Sequence, residues 1–164
     1  MSATAAKADV ERELVEAWQA LASAVDSFSD AELEQPGVVE DWSVKDLLGH
    51  IAFWAQRAAH NLQAIAAGRL DDIVALEGEK AVDEWNEREW RQRLDLPLTE
   101  VREEWLESFQ GAMKALAACP SNKLEEEVKG NTALKSFALD TYEHYREHLA
   151  HLNAWRREVE TTEA

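Results

Sequence analysis

The chain has 164 residues, 46% of them hydrophobic, which is enough apolar material for one core and reads as a single domain over 1–164. Seventeen Lys and Arg against 33 Asp and Glu give a net charge of −16, which argues against nucleic acid and anionic membranes as partners. The lone Cys119 excludes an intrachain disulfide, no apolar stretch approaches the ~20 residues of a bilayer span, and Met1 to Lys7 has no signal-peptide core, so a soluble cytoplasmic protein is expected.

Helical periodicity dominates, and no segment alternates convincingly as a strand. A first helix is predicted from about Lys7 to Phe28, with Leu14, Trp18, Leu21, Ala22 and Val25 three or four residues apart. Ser29 to Glu32 carries a capping signal, and Gln35-Pro36-Gly37 reads as a connecting turn. A second long helix begins after Trp42. Ser43 is its N-cap, Asp46 is the acidic member of a capping box, and Gly68 suits its end. Its apolar stripe is Leu47, Ile51, Trp54, Ala58, Leu62 and Ile65.

Arg69 to Leu96 is a charged connection that holds one short amphipathic helix, from about Glu79 to Leu94. Pro97 interrupts the pattern, and Thr99 is a candidate cap for a third long helix with the stripe Val101, Trp105, Phe109, Met113 and Leu116. A last helix is predicted from about Thr132 to Val159. Four long amphipathic helices make an all-α four-helix bundle, whose sites form between side chains of facing helices.

Histidines stand out on two of those helices. His144 and His148 are four residues apart and so share a face, and His151 and Trp155 fall within about 60° of them. His50 shares its face with Leu47, Trp54, Arg57 and Asn61 and so points inward, whereas His60 points away. Three imidazoles from facing helices leave an open position on a divalent metal, the arrangement of a working metal site. The same pattern is compatible with buried, hydrogen-bonded histidines. His144-Tyr-Arg-Glu-His148 also matches the H-x-x-E-H pattern of inverzincin proteases, but Glu147 lies toward the polar side and no acidic third ligand stands out, which disfavours a protease.

Trp42-Ser-Val-Lys-Asp-Leu-Leu-Gly-His50-Ile-Ala-Phe-Trp54, together with His144-Tyr-Arg-Glu-His148-Leu-Ala-His-Leu-Asn-Ala-Trp155, resembles the DinB/YfiT-like superfamily. That group includes the mycothiol-dependent maleylpyruvate isomerase N-terminal domain and the bacillithiol transferases. The resemblance covers nearly the whole chain and implies a bundle of that type, commonly homodimeric, with a divalent metal on three histidines. His50, His144 and His148 match those positions, and zinc or nickel suits an imidazole site.

The activity so implied is a metal-dependent low-molecular-weight-thiol S-transferase or a related detoxification reaction on a small-molecule substrate. The alternative is a metal-independent binding protein or protective hydrolase on the same bundle. Trp54, Arg57, Asn61 and His151 are expected to line the substrate or cofactor pocket. Arg57 suits a bidentate carboxylate contact, or else an ion pair within or between helices. Trp85 and Trp90 are placed to cover the mouth of the site or to bury a subunit contact.

Overall fold

The computed structural model describes residues 3–76 and 78–163. Met1 and Ser2, which open the segment read as lacking a signal-peptide core, lie outside the described residues, as do Glu77 and Ala164. The architecture is an all-α bundle of α1 (Ala3–Asp26), α3 (Val44–Ala66), α5 (Leu98–Ala118) and α7 (Tyr142–Glu163). Short α2 (Asp30–Leu33) joins the first pair, α4 (Glu79–Arg93) lies in the connection between α3 and α5, and α6 (Ala133–Asp140) leads into α7. α3 packs chiefly against α5, and α1 against α7.

Periodicity becomes packing directly. Leu14, Leu21 and Val25 of α1, Leu47, Ile51, Ala58 and Leu62 of α3, and Val101, Trp105, Ala112 and Leu116 of α5 are all buried in one continuous core. Helix starts follow their caps. Ser29 with Glu32 and Ser43 with Asp46 each form a reciprocal capping box, satisfying backbone N–H groups that have no partner inside the helix. Lys7 donates to the carbonyls of Ala117 and Cys119 at 2.7 and 2.8 Å, placing a cation on the C-terminal end of α5.

Four features depart from the sequence reading. α1 starts four residues earlier than predicted, in an alanine-rich stretch of high helix propensity. Pro97, and not Thr99, precedes α5, and its fixed φ of −58° suits the first turn. A hairpin of two-residue strands, β1 (Glu127–Val128) and β2 (Asn131–Thr132), turns through Lys129 and Gly130, both at positive φ, where no alternation marked a strand.

The predicted last helix is two helices. Thr141, with φ −124° and ψ −103°, breaks it. Its buried hydroxyl donates to the Phe137 carbonyl at 2.6 Å, a side-chain bond that competes with the helical ladder. The chain restarts with Tyr145 N–H donating to the Thr141 carbonyl at 2.8 Å. That break orients the histidines of α7 independently of α6.

Candidate metal centre

α3 and α7 bring three imidazoles together. His50 Nε2 lies 3.0 Å from His144 Nε2, which lies 2.9 Å from His148 Nε2. One nitrogen from each ring falls within 4.8 Å of the others, and this is the one such group of metal-ligating side chains among the described residues. His50 reaches the cluster from the second turn of α3, where the Ser43 capping box fixes the start of the helix. His144 and His148 are one turn apart on α7, as their spacing required.

Burial sets their charge. It lowers His50 to about 4, with the polar side chain of Asn86 pulling the other way. It lowers His144 to about 3 and His148 further still, and repulsion from the neighbouring imidazoles adds to both effects. At neutral pH all three rings are uncharged and keep the lone pairs a metal ligand needs.

Hydrogen bonding among the rings does not satisfy them. If His144 Nε2 accepts from its two neighbours, its Nδ1 carries a proton, and that atom is buried without a partner among the described residues. If Nε2 instead donates, Nδ1 is an unpaired acceptor. His144 Nε2 has a single in-plane site for two neighbouring nitrogens, and a cation among the three Nε2 atoms relieves that crowding, with Nδ1 left as the protonated atom. Tetrahedral zinc ligation sets nitrogens roughly 3.3 Å apart, which the observed contacts approach from the short side. The donor set therefore fits a divalent metal.

A cleft of about 390 Å³ leads to this cluster. His50 and His148 line it together with Trp42, Asn86, Glu147 and His151. Trp42 sits edge-on to His50 at 5.4 Å and is stacked by Trp90 of α4 at 6.1 Å. Trp85 packs instead on Phe53 at 5.7 Å. Glu147, assigned to the polar side of its helix, is exposed at this rim.

The other candidates fall at graded distances from the cluster. His151 Nδ1 is 3.2 Å from His148 Nδ1, placing it behind a ring of the cluster. Trp54 is buried and edge-on to both His50 and His144 at 6.4 Å, with its indole N–H donating to Asn86 Oδ1 at 2.9 Å. Arg57 is an interhelical ion-pair partner. It donates to Asp140 at 2.6 Å and to the Val74 carbonyl at 3.1 Å. With Asn61 it lines a separate cleft of about 200 Å³ bounded by α6 and the hairpin. His60 is exposed on the outer face, as predicted.

Asn86 was not singled out from the sequence. Its helix shows a weak apolar stripe and no buried residue, so periodicity carries no sign that one amide on it turns toward α3.

A helical bundle with three convergent imidazoles on facing helices at the end of a cleft defines a DinB-like domain with a site able to hold a metal. The chain belongs to the mycothiol maleylpyruvate isomerase N-terminal domain family, whose model matches residues 14–158 and so spans all three histidines. No curated protein and no solved structure matches it.

Proposed function

We propose that the protein is a metal-dependent enzyme, with His50, His144 and His148 holding a divalent cation, zinc or nickel, and a low-molecular-weight thiol as co-substrate. The reaction class is S-transfer to a small electrophile or a related detoxifying step. The observation that carries this reading is the convergence of three Nε2 atoms, successive ones 3.0 and 2.9 Å apart, from two half-buried histidines and one buried one.

A bound divalent cation supplies the positive charge that acidifies a thiol or water at its open position. The chain's own residues do the rest. Burial keeps the imidazoles unprotonated, and the indoles of Trp42 and Trp54 wall the cluster against bulk water. His151 faces the outer nitrogen of His148, where it can fix the orientation of that ring. Glu147 at the rim is within reach of a ligand in the cleft and suits proton transfer to solvent.

The domain is proposed to act whole, over 1–164, as a cytoplasmic homodimer. Dimeric kin implied by the sequence motifs support that assembly, and a particle of 18.5 kDa by light scattering at micromolar concentration would refute it. The test of the site is metal analysis of protein purified without a histidine tag, followed by thermal shifts with candidate thiols. Stoichiometric zinc or nickel and a thiol-dependent shift are expected. Purified protein that neither retains nor takes up a divalent metal overturns the reading.

A further inference from the structure

We propose that the cleft beside Arg57, separate from the histidine cluster, binds a small carboxylic acid with an apolar body, held as its anion. This does not rest on the metal reading above. The cleft, of about 200 Å³, opens between the end of α3, the segment that follows it, the β1–β2 hairpin and α6. Its lining includes Ile65, Ile73 and Ala133 of the core, and Val74 and Leu139, which stay 53% and 44% exposed although apolar. Apolar surface left open on a concave wall favours an apolar occupant. A cavity of about 150 Å³ holds a benzene ring, so this cleft has room for a ring-sized body and one polar head.

The head group follows from the charges. Arg57 has five N–H donors, and two of them serve Asp140 at 2.6 Å and the Val74 carbonyl at 3.1 Å. The rest of the guanidinium is left for an acceptor in the cleft, and a carboxylate matches its geometry best. Lys129, at the hairpin turn, adds a second cation, and Asn61 and Ser136 add neutral donors from α3 and α6. Asp140 is the one acid of this lining among the described residues, so the wall carries a net positive charge in a chain of −16. The histidine cleft is the reverse: Glu40, Asp83, Glu87 and Glu147 line it, and among the described residues no Lys or Arg does. The side chains of the Arg57 cleft therefore favour an anion where those of the histidine cleft repel one. One indole separates the two places. The Arg57 guanidinium stands over the Trp54 ring at 5.3 Å, and that ring lies 6.4 Å from both His50 and His144.

Benzoate is the probe, with benzamide as its neutral isostere, each titrated into the full chain and followed by backbone amide NMR shifts. Benzoate is expected to move the amides of Lys129, Gly130 and Ser136 and to bind at least about tenfold more tightly than benzamide. The same benzoate affinity is expected with and without zinc. Arg57→Gln should weaken benzoate at least about tenfold. Asp140→Asn should tighten it about 3- to 10-fold, because it removes a competing charge from the guanidinium while leaving an acceptor in place. Loosening of the fold would act in the opposite direction. Equal binding of benzoate and benzamide, no benzoate binding at millimolar concentration, or shifts confined to the surroundings of His50 and His148 would each overturn the proposal. These three outcomes need no variant, and they leave the metal centre to its own test, which is metal content. Unchanged benzoate affinity in Arg57→Gln would likewise overturn the site.

Discussion

Arg93 lies across the backbone of Gly49, so closely that a Cβ on that glycine would stand 2.7 Å from Arg93 Cδ. The arginine cannot swing aside freely. Its guanidinium is mostly buried and bonded to Glu89 and Glu104 at 2.9 and 2.6 Å, fastening α4 to α5 over the residue that precedes His50. Glycine in a helix interior ordinarily costs about 1 kcal/mol relative to alanine, so its presence here trades propensity for that close approach.

Gly49→Ala is therefore expected to destabilise the fold by about 1–2 kcal/mol, overpacking outweighing the helix-propensity gain. In an Arg93→Ala background the clash is gone, and the same substitution should become neutral or stabilising. Urea midpoints of the four proteins of this cycle test the idea, and additive effects would contradict it.

Metal content should follow the three rings and no others. His144→Ala and His148→Ala are each expected to lose bound metal, because two imidazoles do not hold an open site strongly. His60→Ala, on the outer face, should keep it. His151→Ala should retain metal with reduced affinity, since this ring contacts His148 and stands outside the triad. Elemental analysis of the purified variants decides, and equal metal in wild type and His148→Ala would remove the assignment.

The bundle and the triad were legible because both are written in side-chain period. Leu47, His50, Ile51 and Trp54 recur at helical spacing, and His144 and His148 are one turn apart, so burial pattern and ligand face emerge together. Thr141 is different. A threonine inside an apolar period looks like continued helix until its hydroxyl bonds the Phe137 carbonyl, and only the packed core holds it there. The Arg57 pairing with Asp140 and the turn of Asn86 toward Trp54 are likewise long-range, 83 and 32 residues apart, with no local signature.

Acid should weaken the metal-free protein. The three histidines are neutral in the fold, His50 down to about 4, while an unfolded chain takes up protons on each near 6.5. As pH falls from about 6.5 toward 4, the unfolded state binds more protons and stability drops, by about 1.4 kcal/mol per pH unit for each proton. Asp140 works the other way. Burial lifts it to about 6 against the pull of Arg57, so over roughly pH 6 to 4 it binds its proton first in the fold and offsets one histidine. Three groups outweigh one, and a net loss is expected. Urea denaturation at pH 7.0, 6.0 and 5.0 measures it, and a flat profile would mean the imidazoles are not buried as neutral rings.

The nucleophilic sulfur is expected to come from a co-substrate and not from the chain. Cys119 is the sole cysteine; it is buried at the end of α5, its thiol faces the Pro120 carbonyl at 3.7 Å, and it is not among the residues lining the histidine cleft. Burial raises its pKa, with Lys7 and Lys123 opposing, which is the reverse of what activates a thiolate. Cys119→Ser should therefore leave thiol transfer within about twofold of wild type, at a stability cost of about 1–2 kcal/mol for the buried hydroxyl. Removing the metal should abolish turnover, because a thiol without a nearby cation is mostly protonated at neutral pH. Bacillithiol, mycothiol, glutathione and free cysteine, each tested with a generic electrophile before and after chelation, give the comparison. Turnover that survives chelation, or that disappears in Cys119→Ser while the metal is retained, would replace the metal-bound external thiol with a hydrolase or a cysteine-based mechanism.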